Sequence, residues 1–267
     1  MKSLLLFCIA LGMVIPLPTR AAVRVPIIVP VHVPAKVPPA LVGNFDSVHK
    51  FGVISLVGSN VWLRNQNSIF NHSELTKDVS DWRIAEIAVE VVQRYLGAAY
   101  EVKNISNEKM VKVSRAEFAH ENRESPQESS GLYRQQLGGL PDQQVDAFIV
   151  WRPMSAEAIP GLWLTRGISG KSFLTVGGHI DVVDAHTFAV LGSSIVRARL
   201  KSGGDVFPTV RLEKEINFSD PIDLSSQDMA EYQAMFTQLL KGVLPVTLRR
   251  LGLGPLKTSA TGQANPQ

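Results

Sequence analysis

Cysteine is nearly absent from this chain of 267 residues. The single cysteine, Cys8, lies in an apolar run close to the N-terminus, so a framework of intramolecular disulfide bonds is excluded. Small exported domains often depend on disulfides, but a domain of about two hundred residues can bury enough apolar surface without them. If the chain is exported, the lack of cysteine fits the bacterial periplasm or medium better than an animal secretory route.

Long apolar runs are also absent. A transmembrane helix needs roughly 20 apolar residues, and the longest run here, residues 4–17, is shorter. Lys2 precedes this run and the small residue Ala21 follows it, which is the order of a signal peptide and its cleavage point. We therefore expect cleavage near Ala21 to remove residues 1–21, including Cys8, and to release a periplasmic or secreted product without a transmembrane segment.

Neither sign of charge dominates the composition. The chain has 27 Lys and Arg against 24 Asp and Glu, a net charge of +3. Lys2 and Arg20 would leave with the signal peptide, so that 25 basic residues face 24 acidic ones and the charge falls to about +1. The basic residues are dispersed along the chain, whereas nucleic-acid-binding modules typically carry a clustered basic stripe. We expect no nucleic-acid partner.

Valine and proline are concentrated in residues 22–42, which we call the Val-Pro arm. Residues 23–38 read VRVP-IIVP-VHVP-AKVP, a four-residue unit repeated four times. Proline fixes φ near −65° and pushes the preceding residue towards extended geometry, so the arm is expected to be extended, with a reach of about 50 Å as polyproline II. Three interpretations stay open: a spacer through the envelope, a docking segment for a groove that binds proline-rich chains, and a passive linker or edge strand lying on the domain.

The sequence predicts a single α/β domain over residues 43–256, followed by a disordered tail over residues 257–267. Short apolar runs bounded by glycine are typical of buried strands, and apolar residues at helical spacing are typical of amphipathic helices. The expected helices are one from Ser80-Asp81 to Gly97, one over residues 130–137, and a closing one from Ser225; the expected strands are residues 51–58, 61–64, 68–70, 100–105, 145–151, 161–166, 173–183, 188–200 and 206–216. This order predicts a mixed sheet in a two-layer or three-layer domain, with α+β character in the second half.

Residues 167–172 (GISGKS) end like a phosphate-binding loop. Such a loop needs an earlier glycine, where Thr165 stands, and a helix after the lysine. Residues 173–176 (FLTV) are typical of a strand instead. We therefore interpret the segment as a hairpin turn between two strands.

Residues 179–186 (HIDVVDAH) contain the candidate metal ligands. His179, Asp181, Asp184 and His186 offer two imidazoles and two carboxylates, which suit zinc or another divalent ion. In a strand, His179 and Asp181 share one face and the other two residues have the opposite parity, so all four converge only if the chain turns between them. The alternative is that Asp184 starts a hairpin and binds its own backbone.

Other signals of chemistry are weak. The sequence contains neither a G-x-S-x-G elbow nor an H-E-x-x-H helix, although a serine triad assembled in space stays open. Four tryptophans could line a groove, but core packing is the commoner role of such residues: Trp62, Trp82, Trp151 and Trp163. The residues therefore predict no catalytic or cofactor-binding set beyond the metal candidates.

A resemblance to known envelope proteins rests on residues 51–57, Asp81-Trp82, residues 145–151 and residues 180–185. Here the chain resembles uncharacterised exported proteobacterial proteins and, more loosely, the α/β envelope domains of the TolB N-terminal part and of CsgG-type and LpoB-type lipoproteins. The last block is similar to the Val-Asp-Ala-x-Thr-Gly hairpin of that group, with Phe188 in place of the glycine, and the lipid-bearing cysteine is missing. The resemblance implies a non-enzymatic role in binding or assembly, and no catalytic residues carry over.

These observations favour an exported, non-catalytic protein without a cofactor, which binds a periplasmic or envelope protein in envelope assembly or maintenance. The alternative is a metal-dependent hydrolase that uses His179, Asp181, Asp184 and His186. A third class, a small-ligand binding module, has no sequence feature in its favour. The two leading hypotheses separate on whether those four side chains converge. No feature predicts the oligomeric state.

Overall fold

The structure is a computed structural model that describes residues 42–57, 59–66, 72–105, 126–140, 144–153, 161–199, 205–213 and 226–254. The expected signal peptide, the Val-Pro arm before residue 42, the tail over residues 257–267 and the expected strand at residues 68–70 lie outside the described residues.

The described residues form two mixed sheets, a two-stranded ribbon and three α-helices, and the predicted α/β fold class with α+β character is confirmed. The helices are α1 Ile84–Leu96, α2 Pro126–Leu137 and α3 Ser226–Arg250. The strands are β1 Lys50–Ser55, β2 Asn60–Gln66, β3 His72–Asp78, β4 Glu101–Asn104, β5 Ala147–Arg152, β6 Leu162–Arg166, β7 Ser172–Val176, β8 His179–Asp184, β9 Val190–Ile195, β10 Ala198–Arg199, β11 Asp205–Val206 and β12 Thr209–Arg211.

Sheet 1 has the strand order β4-β1-β5-β8-β9. β1 pairs in parallel with β4 and β5, whereas β8 pairs antiparallel with β5 and β9. The central strand β5 (AFIVWR) is buried on both faces over its first five residues, which explains its continuous apolar sequence.

Sheet 2 has the order β12-β7-β6-β2-β3, with one parallel pair between β2 and β6. The alternating sequence of β2 (NVWLRNQ) buries every second residue, as expected for a strand with one face on the core. β10 and β11 form the separate ribbon. The sequence predicted one mixed sheet, and the strands of the second half are in fact divided between two.

The main core lies where sheet 1, sheet 2, α1 and α3 meet. Its members include Phe51 of β1, Ile149 of β5, Leu164 of β6, Val92 of α1 and Phe236 of α3, all of them buried. α1 contributes because its apolar residues recur at helical spacing and it ends before Gly97, as predicted.

A second core lies on the other face of sheet 1, under α2. Phe148 and Val150 of β5 point to this side, where they pack with Leu132, Tyr133 and Leu137 of α2. Sheet 1 is therefore covered on both faces. The candidate site described below lies in this second core.

Several local predictions were wrong. The described parts of residues 188–200 and 206–216, each expected as one strand, are divided into β9 and β10 and into β11 and β12. Residues 173–183, expected as one strand, are β7 of sheet 2 and β8 of sheet 1, separated by Gly177 and Gly178, of which Gly178 has φ +115°. Residues 72–78, which are not among the expected strands, are the edge strand β3. Ser80-Asp81 does not cap α1, because a 3-10 turn, Ser80–Trp82, and the left-handed Arg83 precede the helix.

No helix within the described ranges has both the length and the apolar character that a membrane crossing needs.

Candidate functional site

A buried polar cluster lies between α2 and sheet 1, centred on the carboxylate of Asp181 in β8. Arg152 at the end of β5 donates its Nε–H to Oδ2 of Asp181 at 2.6 Å. Tyr133 of α2 donates its hydroxyl to the same oxygen at 2.5 Å, and Ser193 of β9 donates to Oδ1 at 2.5 Å. One carboxylate thus connects three adjacent strands to the helix that covers them.

The electrostatics of this Asp181 cluster favour the ionised carboxylate. Burial alone would raise the pKa of Asp181, but the Arg152 guanidinium and the hydrogen bonds from Ser193 and Tyr133 outweigh it, so the pKa lies below its usual range. Burial and the neighbouring carboxylate raise the pKa of Tyr133 well above its usual range. The phenol therefore stays protonated and acts as a donor.

The ion pair of Arg152 and Asp181 is well enclosed, with side chains 12% and 1% exposed. A buried pair adds little net stability because both charges lose their hydration, but removal of one partner costs about 3–5 kcal/mol, since the other charge stays buried. The cluster therefore fixes how α2 and the strands β5, β8 and β9 fit together.

His179 begins β8 and lies beside Arg152 in the β5–β8 register. Its Nδ1 is buried and has no hydrogen-bond partner within the described part of the chain. Burial and the positive charge of Arg152 lower the pKa of His179 to about 4, although Asp181 opposes the shift. The imidazole is therefore neutral near pH 7.

Asp184 and His186 lie in the turn between β8 and β9, away from the Asp181 cluster. Oδ1 of Asp184 accepts hydrogen bonds from the backbone N–H groups of His186 and Thr187, at 2.9 and 2.7 Å, and from the Thr187 hydroxyl at 2.8 Å. This is the arrangement in which an aspartate binds its own hairpin.

The four candidate metal ligands thus fall into two pairs with different surroundings. His179 and Asp181 point into the second core, whereas Asp184 and His186 belong to the turn. The described residues contain no group of three or more His, Cys, Asp or Glu side chains placed to hold a metal ion. The geometry gives no support to a shared site of these four residues, and metal-dependent hydrolysis stays an untested alternative.

The phosphate-loop lookalike is a hairpin turn, as predicted. Gly167 N–H donates to the carbonyl of Lys171 at 2.9 Å, and Gly170, with φ +77°, donates to the carbonyl of Gly167. β6 and β7 pair on either side of it.

Sequence reasoning missed three of the four members of the Asp181 cluster. Tyr133 lies in α2 (PQESSGLYRQQL), whose sequence is polar and gives little indication of a buried face. Arg152 lies on the same face of β5 as Phe148 and Val150, which point into the second core. Strand alternation could therefore have predicted that its side chain faces this core. Ser193 gave none.

A second feature is the outer face of sheet 2, opposite the main core. Trp62 of β2 and Trp163 of β6 are register partners on adjacent parallel strands and are partly exposed. Arg64, Thr165, Phe173 and Arg211 follow as the next row across four strands. Phe207 packs edge-on against Trp163 with ring centroids 5.7 Å apart.

The four tryptophans therefore divide into two classes. Trp82 and Trp151 are core residues, each 3% exposed, as is usual for tryptophan. Trp62 and Trp163 belong to neither core cluster and form the partly open surface that we call the tryptophan face.

Comparison with known proteins gave little beyond the geometry. No protein family and no curated protein matches the chain. Among solved structures, the PelC dodecamer from Paraburkholderia phytofirmans is similar at 11% identity and a TM-score of 0.33, over 79% of this chain and 94% of that one. A point variant of the same protein gives 10% identity and a TM-score of 0.31, over 79% and 96%. Similarities this weak carry no argument about this chain.

Proposed function

We propose that this chain is an exported, non-catalytic protein of the bacterial periplasm that binds a protein partner in envelope assembly or maintenance. The observation that carries the proposal is the tryptophan face. Tryptophan and arginine are the residues that contribute most to protein interfaces, especially where they lie together near the centre of a patch. Trp62 and Trp163 lie side by side on adjacent strands, with Arg64 and Arg211 in the next row.

The Asp181 cluster supports a structural role rather than a reaction. Both carboxylate oxygens of Asp181 accept hydrogen bonds from within the protein. Asp181 and Tyr133 are 1% and 0% exposed. Groups that are enclosed and bonded to each other are poorly placed to act on a substrate, because a general acid or base must reach the reacting atoms. Function is therefore assigned to the surface.

The test is site-specific photo-crosslinking in bacterial cells that make the chain. A photoreactive residue replaces Thr165, which lies in the tryptophan face, or Glu90, which is exposed on α1. We expect one discrete crosslinked partner from position 165 and none from position 90. Fractionation of the same cells, with N-terminal sequencing, should find the protein in the periplasm beginning at Ala22.

Variants then test whether the tryptophans hold the partner. Trp62→Ala with Trp163→Ala should reduce crosslinking at position 165 about tenfold or more, as expected for interface hot spots. Arg211→Glu provides a second variant, because Arg211 is exposed and its reversal leaves the tryptophan packing intact. The tryptophan face is not the binding surface if the unchanged chain, the double tryptophan variant and Arg211→Glu are all folded and crosslink equally at position 165. The same conclusion follows if position 90 captures the same partner.

A further inference from the structure

The Val-Pro arm has a parity that matters for strand pairing. All four prolines of the repeat, at positions 26, 30, 34 and 38, are even-numbered. In a β-strand, successive residues direct their backbone N–H and C=O groups to opposite edges, so residues of one parity share an edge. Proline lacks the N–H. An extended arm would therefore lack every second donor on one edge and keep every donor on the other.

This pattern has a consequence in a strand that it does not have in a polyproline II helix, which contains no internal hydrogen bonds. Polyproline II has three residues per turn, so prolines four residues apart would rotate around its axis. A four-residue repeat is two strand periods, and in a strand it keeps every proline on one edge. Proline in sheets is confined to such edges, where the missing N–H faces away from the neighbouring strand. Residues 25–31 (VPIIVPV) are apolar on both faces.

β3 offers an acceptor edge of matching length. It has seven residues and pairs only with β2 among the described residues. Val79 N–H donates to the carbonyl of Ser59 in the same register, so the alternate residues of β3 bond to β2 and the backbone of His72, Glu74 and Thr76 points to the other edge.

An apolar side chain on β3 also lacks cover. Leu75 is the register partner of the buried Leu63 and lies on the core-facing side, yet it is 50% exposed. A strand added beyond β3 would bury part of it, whichever direction that strand runs, because residues 25–31 present apolar groups on both faces.

The other described edges are less suitable. β4 and β12 have four and three residues. Gly43 already lies against the outer edge of β9, where a Cβ on Gly43 would be 2.5 Å from the carbonyl oxygen of Leu191. β3 is thus the longest of the four edges in the described part of the chain.

We propose that residues 25–31 of the Val-Pro arm add as a strand to the edge of β3 opposite β2, where no strand of the described part of the chain pairs, in the same molecule and with the proline edge outward. Ten residues separate Val31 from Val42, and the eleven Cα–Cα steps between them can span about 35 Å. Attachment to the same chain gives the segment a high effective concentration at the edge. The proline edge would then stop further strands from adding, which protects an exposed sheet edge against aggregation. This inference does not depend on the proposed function.

The test uses two neighbouring isoleucines of opposite parity. In the mature chain beginning at Ala22, Ile27→Pro removes a donor from the intact edge, whereas Ile28→Pro adds a proline to the edge that already carries them. The two variants share composition and overall stiffness. Hydrogen–deuterium exchange is measured for the peptide His72–Asp78, with α1 as internal reference, at concentrations where the protein sediments as a monomer.

We expect exchange of the β3 peptide to become about tenfold faster in Ile27→Pro, through loss of an edge hydrogen bond and its cooperative neighbours, and to be unchanged in Ile28→Pro. Exchange in α1 should be the same in all three proteins. Equal exchange of the β3 peptide in the two variants would overturn the proposal, and so would protection of β3 that appears only as the protein dimerises. Neither result bears on crosslinking at position 165, so the two proposals fail separately.

Discussion

A single carboxylate illustrates how much one residue organises in this protein. Asp181 binds side chains from β5, β9 and α2 at once. The sequence presented it as a possible metal ligand because it lies two residues from His179. Strand alternation places both residues on the face under α2, where the partners of Asp181 are an arginine, a tyrosine and a serine that are distant in sequence.

His179 should make the stability of the protein depend on mildly acidic pH. Its pKa is about 4 in the folded protein, against roughly 6.5 when unfolded. Below pH 6.5 the unfolded chain therefore binds a proton that the folded protein does not. The free energy of unfolding should be fully retained above pH 6.5 and should fall as the pH decreases from 6.5 to 4, as measured by urea unfolding at each pH.

The matched control is the other histidine of the same hairpin. His179→Gln should flatten the decline between pH 6.5 and 4, whereas His186→Gln should retain it, because His186 is an exposed turn residue. Carboxylates such as Asp181, whose pKa is lowered, contribute only below about pH 5, so the upper part of the window reports on the histidine. If the decline persists in His179→Gln, the buried imidazole is not its source.

At the scale of elements, the β8–β9 hairpin contains a strained residue. Phe188 has φ +61°, in the left-handed region that favours glycine, and its N–H donates to the carbonyl of Asp184. The Phe188 ring packs partly buried against the second core, so burial of the ring offsets the unfavourable backbone.

Two truncations of Phe188 separate these contributions. Both Phe188→Ala and Phe188→Gly remove the ring and should destabilise the protein. At an ordinary position glycine is less stable than alanine by about 0.5–1 kcal/mol. Here the order should reverse, with Phe188→Gly more stable than Phe188→Ala by about 1 kcal/mol, because only alanine keeps the left-handed penalty. Denaturant unfolding measures both, and an alanine variant as stable as the glycine variant would exclude strain at this position.

Elements with a strong local pattern could be predicted from the sequence. The apolar residues of α1 and the continuous apolar run of β5 were enough to predict both elements to within a few residues of their observed bounds. β3 (HSELTKD) could not be predicted, because an edge strand is polar on most positions and is defined by its pairing with β2. The 3-10 turn before α1 was missed because Ser80 and Asp81 form a good capping sequence, whereas the helix begins only after the left-handed Arg83.

At the scale of the whole molecule, Gly177 and Gly178 mark where the chain leaves sheet 2 and enters sheet 1. No local pattern distinguishes this crossing from a continuous strand with two small residues. Gly178 has φ +115°, and a Cβ there would be 2.5 Å from the carbonyl oxygen of Arg152 and 2.8 Å from Nε1 of Trp151. The division into two sheets therefore depends on a backbone contact that only glycine permits.

Gly178→Ala should destabilise the protein by about 1–3 kcal/mol or more, because the left-handed backbone and the close contact both oppose a side chain. Gly242→Ala is the control: Gly242 is exposed within α3 and a Cβ there meets no atom within 4 Å. Alanine should stabilise that helix by about 0.5–1 kcal/mol. Thermal unfolding distinguishes the two, and a neutral effect of Gly178→Ala would show that the crossing tolerates a side chain.

The strands that pair in parallel within each sheet are far apart in the sequence. The backbone N–H of Lys50, at the start of β1, donates to Oδ2 of Asp146, 96 residues later. Likewise, β2 pairs in parallel with β6, about a hundred residues further along the chain. The entropic cost of closing such long loops must be met before the contacts between the strands can stabilise the chain. Proteins with pairings between distant residues therefore fold slowly. The first hundred residues to leave the ribosome therefore cannot complete either sheet, and the nascent chain stays open until β5 and β6 have been synthesised.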